Sequence, residues 1–233
     1  LRVINKKLAQ EYGTESIDFY DTRVALRWGL WVKWWIEKTI VQGRPDREHG
    51  NHALGQALWS PKKSDSGANI YRFMEKVKQD DVVLHLIDNK AFVGLSRVDG
   101  AATDFVGLPD TEWAGKDCFR VKLRDYKQLE PPLDRSEFTK EPYGKRLKAL
   151  IDAGTHNLFY RSDLNLNQGA YFTPAPPELV AALSDAYAAV TGKTLYSLVH
   201  LDGSGVETAG TETTTFSVAT LADTINMNVP DVK

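Results

Sequence analysis

The sequence predicts an α+β fold in which helices surround a compact β core. Two apolar runs, residues 80–87 and 91–98, are separated by a short turn and have the composition of adjacent strands. Residues 117–126 alternate apolar with basic side chains, which is typical of a half-buried strand. Residues 141–153 and 178–190 have helical patterns that end close to a glycine.

The amino-terminal part is predicted to be helical from about Asp21 to Val41. Apolar side chains recur there at spacings of three or four, the period of one helix face. Four tryptophans fall between Trp28 and Trp35, and the simpler interpretation is that they anchor the helix to a core. The residues of this stripe are Val24, Trp28, Trp31, Trp35 and Ile36.

The connecting segments are predicted from turn residues and short patterns. Residues 58–69 begin with a short β segment and continue into a Ser-Pro and Ser-Gly turn region. Residues 68–78 have helical spacing, and residues 100–115 are predicted to be irregular. Residues 155–177 are predicted to be a polar loop that ends in a short strand-like stretch.

Composition excludes several classes of protein. The 233 residues are 42% hydrophobic and 26% charged, as in an ordinary globular protein. No apolar run approaches the roughly 20 residues of a bilayer span, so no membrane partner is expected. The single cysteine, Cys118, excludes an internal disulfide and fits a cytoplasmic location. The five histidines have no ligand spacing, so no metal and no other cofactor is expected.

No catalytic motif is recognisable, so the chain is expected not to be an enzyme. It has no nucleophile elbow, no phosphate-cradling glycine loop and no zinc-protease motif. His85 lies in an apolar strand and is interpreted as a hydrogen-bonded core histidine, and Asp80-Asp81 as a turn before that strand.

The charge is divided unevenly along the chain. Residues 1–150 contain 26 Lys and Arg against 22 Asp and Glu, whereas residues 151–233 contain 3 against 9. The mildly basic first part is compatible with phosphate contacts, although the net charge of the chain is −2.

Two tryptophans in or beside loops are the candidate ligand-binding residues. Trp59 precedes a Ser-Pro turn, and Trp113 lies just ahead of Gly115-Lys116 and a basic strand. If they faced each other across a pocket they could sandwich a base, since stacking contributes about 1–3 kcal/mol per base. For each tryptophan taken alone, a structural role is the simpler interpretation.

Residues 51–133 resemble the PUA-like superfamily, close to the YTH and EVE modified-base readers. The resemblance lies in Trp59-Ser60, the strands VVLHLI and FVGLSRV, the loop EWAGK and the strand CFRVKLRDYKQL, in that order. It implies a small PUA-like mixed β-barrel surrounded by helices. It also implies an aromatic cage that receives a base flipped out of its strand.

The resemblance carries the cage roles to Trp59 and Trp113, and Phe105 or Leu108 would have to form the third wall. The residues that could hydrogen-bond the base edge are Asn51, Ser60, Ser96 and Asp99. The cations expected to hold phosphates are Lys62, Lys63, Arg97, Lys116, Arg120 and Lys122.

Several segments together resemble the amino-terminal specificity regions of McrB-type, modification-dependent restriction GTPases. They are LWSPKK with VVLHLIDNKAFVGLSRV, LEPPLDRSEF and LNQGAYFTPAPPELV. This resemblance implies a helical elaboration at residues 1–50, a base-reading domain at 51–200, and a linker with the start of a motor domain at 201–233. The implied partners are modified double-stranded DNA and, through the motor, a nuclease subunit that acts against foreign DNA such as that of phages.

Three hypotheses remain open at this point. The first is a DNA-binding domain that reads a modified base, and the second is an RNA-binding module of the same fold. The third is a protein-interaction module that uses the Trp28–Trp35 face. The McrB-type resemblance favours DNA.

Overall fold

The computed structural model describes residues 32–200 and confirms the α+β class. Within these residues seven strands form one mixed sheet that curls into a half-barrel, and five short helices accompany it. The strands are β1 (Trp34–Thr39), β2 (Ala57–Pro61), β3 (Val82–Ile87), β4 (Ala91–Val98), β5 (Thr103–Val106), β6 (Asp117–Asp134) and β7 (Phe172–Ala175). The helices are α1 (Pro45–Glu48), α2 (Arg135–Thr139), α3 (Tyr143–Asp152), α4 (Pro177–Thr191) and α5 (Leu195–His200).

The long strand β6 organises the sheet. The strand order is β2-β6-β4-β3-β1-β7, and β5 pairs with β6 outside this path. Only β1 and β3 run parallel among the described pairs. Register shifts in the pairing of β4 with β6 mark β-bulges, which bend a strand and increase its twist. This bending lets the first part of β6 pair with β2 and its second part with β4.

β1 replaces the carboxyl-terminal end of the predicted amino-terminal helix, so that prediction was wrong for Trp34–Thr39. Trp35 belongs to the core inside the half-barrel, whereas Trp34 packs against the core on the opposite face. Ile36, which the prediction places in one stripe with Trp35, also belongs to the core on the opposite face, so the stripe is not formed. The short run of aromatic and β-branched residues favours a strand, and this preference prevails over the accidental helical spacing. Trp28 and Trp31 lie outside the described residues.

Two hydrophobic cores lie on the two faces of the sheet. The inner core contains Trp35, Val83, Val121 and Phe172 among others. The outer core joins the other face of β1, β3 and β4 to the helices, of which α4 contacts α2, α3 and α5. α4 begins with a proline in its first turn and ends at Gly192 in the left-handed region (φ 73°), as the pattern predicts.

The other predicted segments agree with the structure in part. β3, β4 and α3 lie within a few residues of their predicted bounds. Residues 68–78 contain only one 3₁₀ turn, at Met74–Lys76, where a helix is expected. β5 forms within a stretch that is expected to be irregular. The predicted linker and the segment after it lie outside the described residues.

No helix among residues 32–200 is long and apolar enough to cross a membrane. In the same residues no group of three or more His, Cys, Asp and Glu side chains could hold a metal ion.

Candidate functional site

An open cleft of about 490 Å³ lies where the β1–α1 loop, the loop before β6 and the start of β7 meet. Its volume falls within the range of small-ligand sites. The side chains and backbone that line it are Lys38, Thr39, Ile40, Gly43, Arg44, Pro45, Asp46, Tyr71, Asp110, Thr111, Glu112, Trp113 and Tyr171.

Three aromatic side chains form walls of this cleft. The Tyr71 ring lies 6.3 Å from the Trp113 ring and 6.1 Å from the Tyr171 ring, measured between centroids. The interplanar angles are 71° and 66°, so the rings do not stack on one another. All three side chains are half-buried. The site therefore has three aromatic walls that come from three distant parts of the chain.

Trp59 lies behind these walls, with only 1% of its surface exposed. Its ring contacts Trp113 edge to face, with 5.0 Å between centroids and 86° between planes. On another side it packs against Phe105 at 5.6 Å. Because the Trp59 and Trp113 rings touch at right angles, they leave no slot for a base between them. The expected two-tryptophan sandwich is not formed in this structure.

Asp46 and Arg44 connect the cleft to Trp59. The indole Nε1 of Trp59 donates a hydrogen bond to Asp46 Oδ2 at 3.1 Å. The Arg44 guanidinium donates to both carboxylate oxygens of Asp46, from Nη2 at 2.8 Å and from Nε at 3.3 Å. Arg44 Cζ lies 5.2 Å from the Trp113 ring centroid and 5.7 Å from that of Trp59. A planar cation thus occupies the aromatic corner of the site.

The loop that carries Trp113 is closed by backbone hydrogen bonds across its base. The Gly107 N–H donates to the Lys116 carbonyl at 2.9 Å, and the Gly115 N–H donates to the Gly107 carbonyl at 3.1 Å. A Cβ atom at Gly107 would lie 1.7 Å from the Trp113 carbonyl oxygen. Only glycine permits this close approach, which sets the position of Trp113.

Tyr171 is held by a buried charge pair inside the half-barrel. Its hydroxyl donates to Glu37 Oε1 at 3.0 Å and accepts the Trp59 backbone N–H at 3.2 Å. Arg47 Nη2 donates to the same Glu37 oxygen at 2.6 Å, and its Nη1 donates to the carbonyls of His52 and Ala57. The pair joins two sides of the cleft, because Arg47 belongs to α1 and Glu37 to β1.

The environment keeps Glu37 ionised. Burial alone would raise the pKa of its carboxyl, but the Arg47 charge and the hydrogen bonds from His85 and Tyr171 outweigh burial and lower that pKa. Burial and the nearby Glu37 charge together raise the pKa of Tyr171 well above its ordinary value, so its hydroxyl remains a donor.

Ser96, His85 and Glu37 form a hydrogen-bonded chain that resembles a hydrolytic triad. The His85 ring nitrogens lie 2.7 Å from Glu37 Oε2 and 2.8 Å from Ser96 Oγ. All three residues have no exposed surface, and none of them lines the cleft. A substrate therefore cannot reach Ser96, and both His85 nitrogens are satisfied as in a structural core histidine.

The other predicted base-contacting residues are dispersed. Ser60 is fully buried, and its Oγ has no hydrogen-bond partner among the described residues. Asn51 and Asp99 are exposed; the Asn51 carbonyl accepts from Arg120, and Asp99 faces Arg124 at 3.7 Å. Leu108 is half-buried in the Trp113 loop, where its carbonyl accepts from Thr111.

The predicted phosphate-binding cations differ in their availability. Lys62 and Lys116 form exposed ion pairs with Asp104 and Asp65, each at 2.6 Å. Arg97 instead donates to the backbone carbonyls of Asp80 and Val199. Lys63 and Lys122 are exposed on the surface. Lys116 adjoins the cleft, since its backbone N–H donates to the carbonyl of Trp113 at 3.1 Å.

Sequence reasoning missed Tyr71, Tyr171, Arg44 and Asp46. The motif GRPDRE, which contains Arg44 and Asp46, has only the composition of a polar loop. Tyr171 lies 112 positions from the Trp59 backbone that it contacts. Only the tertiary fold brings these residues together.

Comparison with known proteins retrieves solved structures at low similarity. The N-terminal domain of Staphylothermus marinus McrB has a TM-score of 0.40 and 15% identity, with 65% of this chain and 93% of that chain covered. An NMR structure from Rhodopseudomonas palustris gives a TM-score of 0.39 and 17% identity, with 68% and 95% covered. A crystal structure from Pseudomonas putida gives 0.40 and 14%, with 66% and 99% covered.

The predicted McrB-type resemblance is thus confirmed to the extent that a McrB domain is among the similar structures. At these TM-scores the likeness carries no argument about the site. No protein-family model matches the chain, and no curated protein matches it.

Proposed function

We propose that the described domain binds nucleic acid and reads one modified base in the cleft formed by Tyr71, Trp113 and Tyr171. The observation that carries this proposal is the set of three aromatic walls around an open cleft of about 490 Å³. The walls come from residues that the sequence resemblance did not single out, apart from Trp113.

Aromatic walls suit a nucleobase because every base has a π face. Stacking contributes about 1–3 kcal/mol per base, and burying an added methyl group contributes roughly 0.8 kcal/mol. A cleft of this size accepts one base but not a duplex, so the base must leave its stack before it enters. The aromatic walls would then favour the methylated form of the base over the unmodified form.

Trp59 has a supporting role in this proposal. Its buried ring packs behind Trp113, and its indole N–H orients the Asp46 carboxylate. Asp46 lines the cleft and can accept a hydrogen bond from the edge of a base.

Surface lysines supply the contacts to the phosphate backbone. The ion pairs of Lys62 and Lys116 are exposed, with 85% of the Asp104 side chain and 88% of the Asp65 side chain accessible. Exposed pairs of this kind contribute little to stability, so phosphates can replace the aspartates. Lys63, also exposed, extends the same segment.

The resemblance of the sequence to McrB-type specificity regions extends the proposal to its biological setting. The domain would recognise modified foreign DNA for a restriction complex, with a motor domain and a nuclease subunit as further partners.

A titration against matched oligonucleotides tests the proposal. The panel contains unmodified DNA and DNA with N6-methyladenine, 5-methylcytosine, 5-hydroxymethylcytosine or N4-methylcytosine at one position, with RNA counterparts, all at one salt concentration. We expect a preference of about tenfold, or 1.4 kcal/mol, for at least one modified DNA. Equal binding of all DNA members would contradict base reading, and tighter binding of the RNA counterparts would assign the domain to RNA.

A further inference from the structure

We infer that the cleft selects a planar cationic base, one whose ring nitrogen carries an alkyl group and a positive charge, over a neutral methylated base. This inference rests on the proposed function, since it names the class of base that the same cleft takes. N1-methyladenine and N3-methylcytosine are bases of this class.

A planar cation already occupies the aromatic corner of the cleft. The Arg44 guanidinium lies over Trp113 at 5.2 Å and binds Asp46 through two nitrogens. Stacking on an indole face and a hydrogen bond to a carboxylate are the two interactions that favour a flat, delocalised cation. The structure therefore displays the chemistry of the site with one of its own side chains as the occupant.

A cationic base resembles the Arg44 guanidinium in shape and charge. In N1-methyladenine and N3-methylcytosine the positive charge is shared between a ring nitrogen and the adjacent exocyclic amino group. This N–C–N unit is planar and delocalised, as a guanidinium is. Its amino N–H can donate to Asp46 while the charged ring stacks on Trp113. The base would thus make both interactions that the Arg44 guanidinium makes.

The residues that line the cleft are more often acidic than basic. Three carboxylates line the cleft together with the three aromatic rings, and they belong to Asp46, Asp110 and Glu112. Lys38 and Arg44 are the two cationic residues that line it. Without Arg44, the residues that line the cleft include three acidic residues and one basic residue, and Lys116 adjoins them. A neutral base would gain the stacking but would leave the Asp46 charge without a cationic partner.

Arg44 is the more exposed residue of its ion pair with Asp46. Its side chain is 23% exposed, whereas that of Asp46 is 10% exposed, so the arginine is the partner nearer to solvent. Once turned outward, its charge becomes available to a phosphate of the bound strand. Binding thus replaces the Arg44–Asp46 ion pair with an ion pair between the base and Asp46, so Asp46 keeps a cationic partner.

Two pairs of isomers test the inference with the full chain. Single-stranded DNA carries N1-methyladenine or N6-methyladenine at one position, and N3-methylcytosine or 5-methylcytosine in a second series. The members of each pair differ in the position of the methyl group, and the cationic member carries one additional proton and hence a positive charge. Single strands remove the unequal cost of breaking a base pair. Fluorescence anisotropy should show at least tenfold tighter binding of the cationic member in each pair.

Two variants locate the source of this selectivity. Asp46→Asn keeps an oxygen that accepts the Trp59 N–H but removes the charge, and it should reduce the cationic preference to less than threefold. Glu112→Gln, on an exposed residue, should reduce it by a smaller factor without change in melting temperature. If Asp46→Asn lowers the melting temperature, the Glu112→Gln variant decides whether the carboxylates of the cleft cause the cationic preference.

The outcomes separate this inference from the function on which it rests. Tighter binding of the neutral isomers would overturn the cationic selection and leave modified-base reading intact. Equal binding of every modified and unmodified strand would overturn both. Tighter binding of a methylarginine peptide than of either cationic strand would assign the cation site to a protein tail and overturn the inference.

Discussion

Glu37 is a buried ionised side chain, and its charge is balanced by a single guanidinium. Glu37 and Arg47 expose 0% and 1% of their side chains and meet at 2.6 Å. Removing one charge of such a pair leaves the other buried without compensation, which costs about 3–5 kcal/mol. The Glu37 carboxylate therefore holds both α1, through Arg47, and the Tyr171 hydroxyl in position.

The substitution Glu37→Gln should lower the free energy of unfolding by about 3–5 kcal/mol, because it removes the partner charge while preserving the side-chain shape. Urea denaturation of the variant and the wild type measures this difference. Arg161→Ala, which removes an exposed ion pair with Asp163, is the control and should change stability little. A loss below 1 kcal/mol for Glu37→Gln would contradict the importance of the pair.

The same carboxylate predicts how stability depends on pH. The folded-state pKa of Glu37 is lowered, so its contribution is fully present above the unfolded-state pKa of about 4.3. That contribution decreases as the pH falls through the lower folded-state pKa. The stability difference between wild type and Glu37→Gln should therefore be constant near neutral pH and shrink below about pH 4. Denaturation curves that stay equally far apart down to pH 3 would contradict this assignment.

At the scale of elements, the Trp113 loop depends on one glycine. Gly107→Ala should push the Trp113 backbone away from its present position, because the added Cβ would lie 1.7 Å from the Trp113 carbonyl oxygen. We expect at least a tenfold loss of affinity for the preferred oligonucleotide, with the far-ultraviolet circular dichroism unchanged. Ala114→Ser, at an exposed position of the same loop, is the control. Unchanged affinity of Gly107→Ala would show that the loop position does not matter for binding.

Elements with a local pattern could be predicted from the sequence, and elements defined by distant partners could not. β3 and β4 were predicted because each is a continuous apolar run bounded by turn residues. The helix prediction fails at β1 because its tryptophans fit a helical period by chance. Nothing in the local sequence indicates that Glu37 is buried. The Arg47 partner that permits its burial lies in another element.

In the candidate site, too, the residues with a local pattern could be predicted and the contacts between distant residues could not. Trp59 and Trp113 could be singled out from their loops, but their right-angled contact could not, since it depends on how β2 and the loop before β6 pack. Tyr71 and Tyr171 have ordinary local sequences. Their rings meet only because residues 69–71 and 169–171 adjoin in the fold, where a Cβ atom added at Gly169 would lie 3.9 Å from the Ile70 side chain.

At the scale of the whole molecule, nucleic-acid binding should depend on salt through a small number of lysines. Each phosphate contact on a single strand contributes about −0.7 to the slope of log K against log salt concentration. Lys62→Ala and Lys116→Ala should each make the slope less steep by about that amount and weaken modified and unmodified strands alike. Lys145→Ala on α3, an exposed lysine that does not line the cleft, is the control. A lysine variant that changed the base preference would contradict a role confined to phosphates.

The measurement that tests the central claim most directly is the ratio of affinities for modified and unmodified strands in variants of the cleft. Trp113→Ala and Tyr71→Ala should each reduce this ratio to near one, because each removes an aromatic wall worth about 1–3 kcal/mol of stacking. Tyr71→Phe keeps the ring and should keep the ratio. If Trp113→Ala and Tyr71→Ala both fold and retain the full wild-type ratio, the cleft is not where the modified base is read.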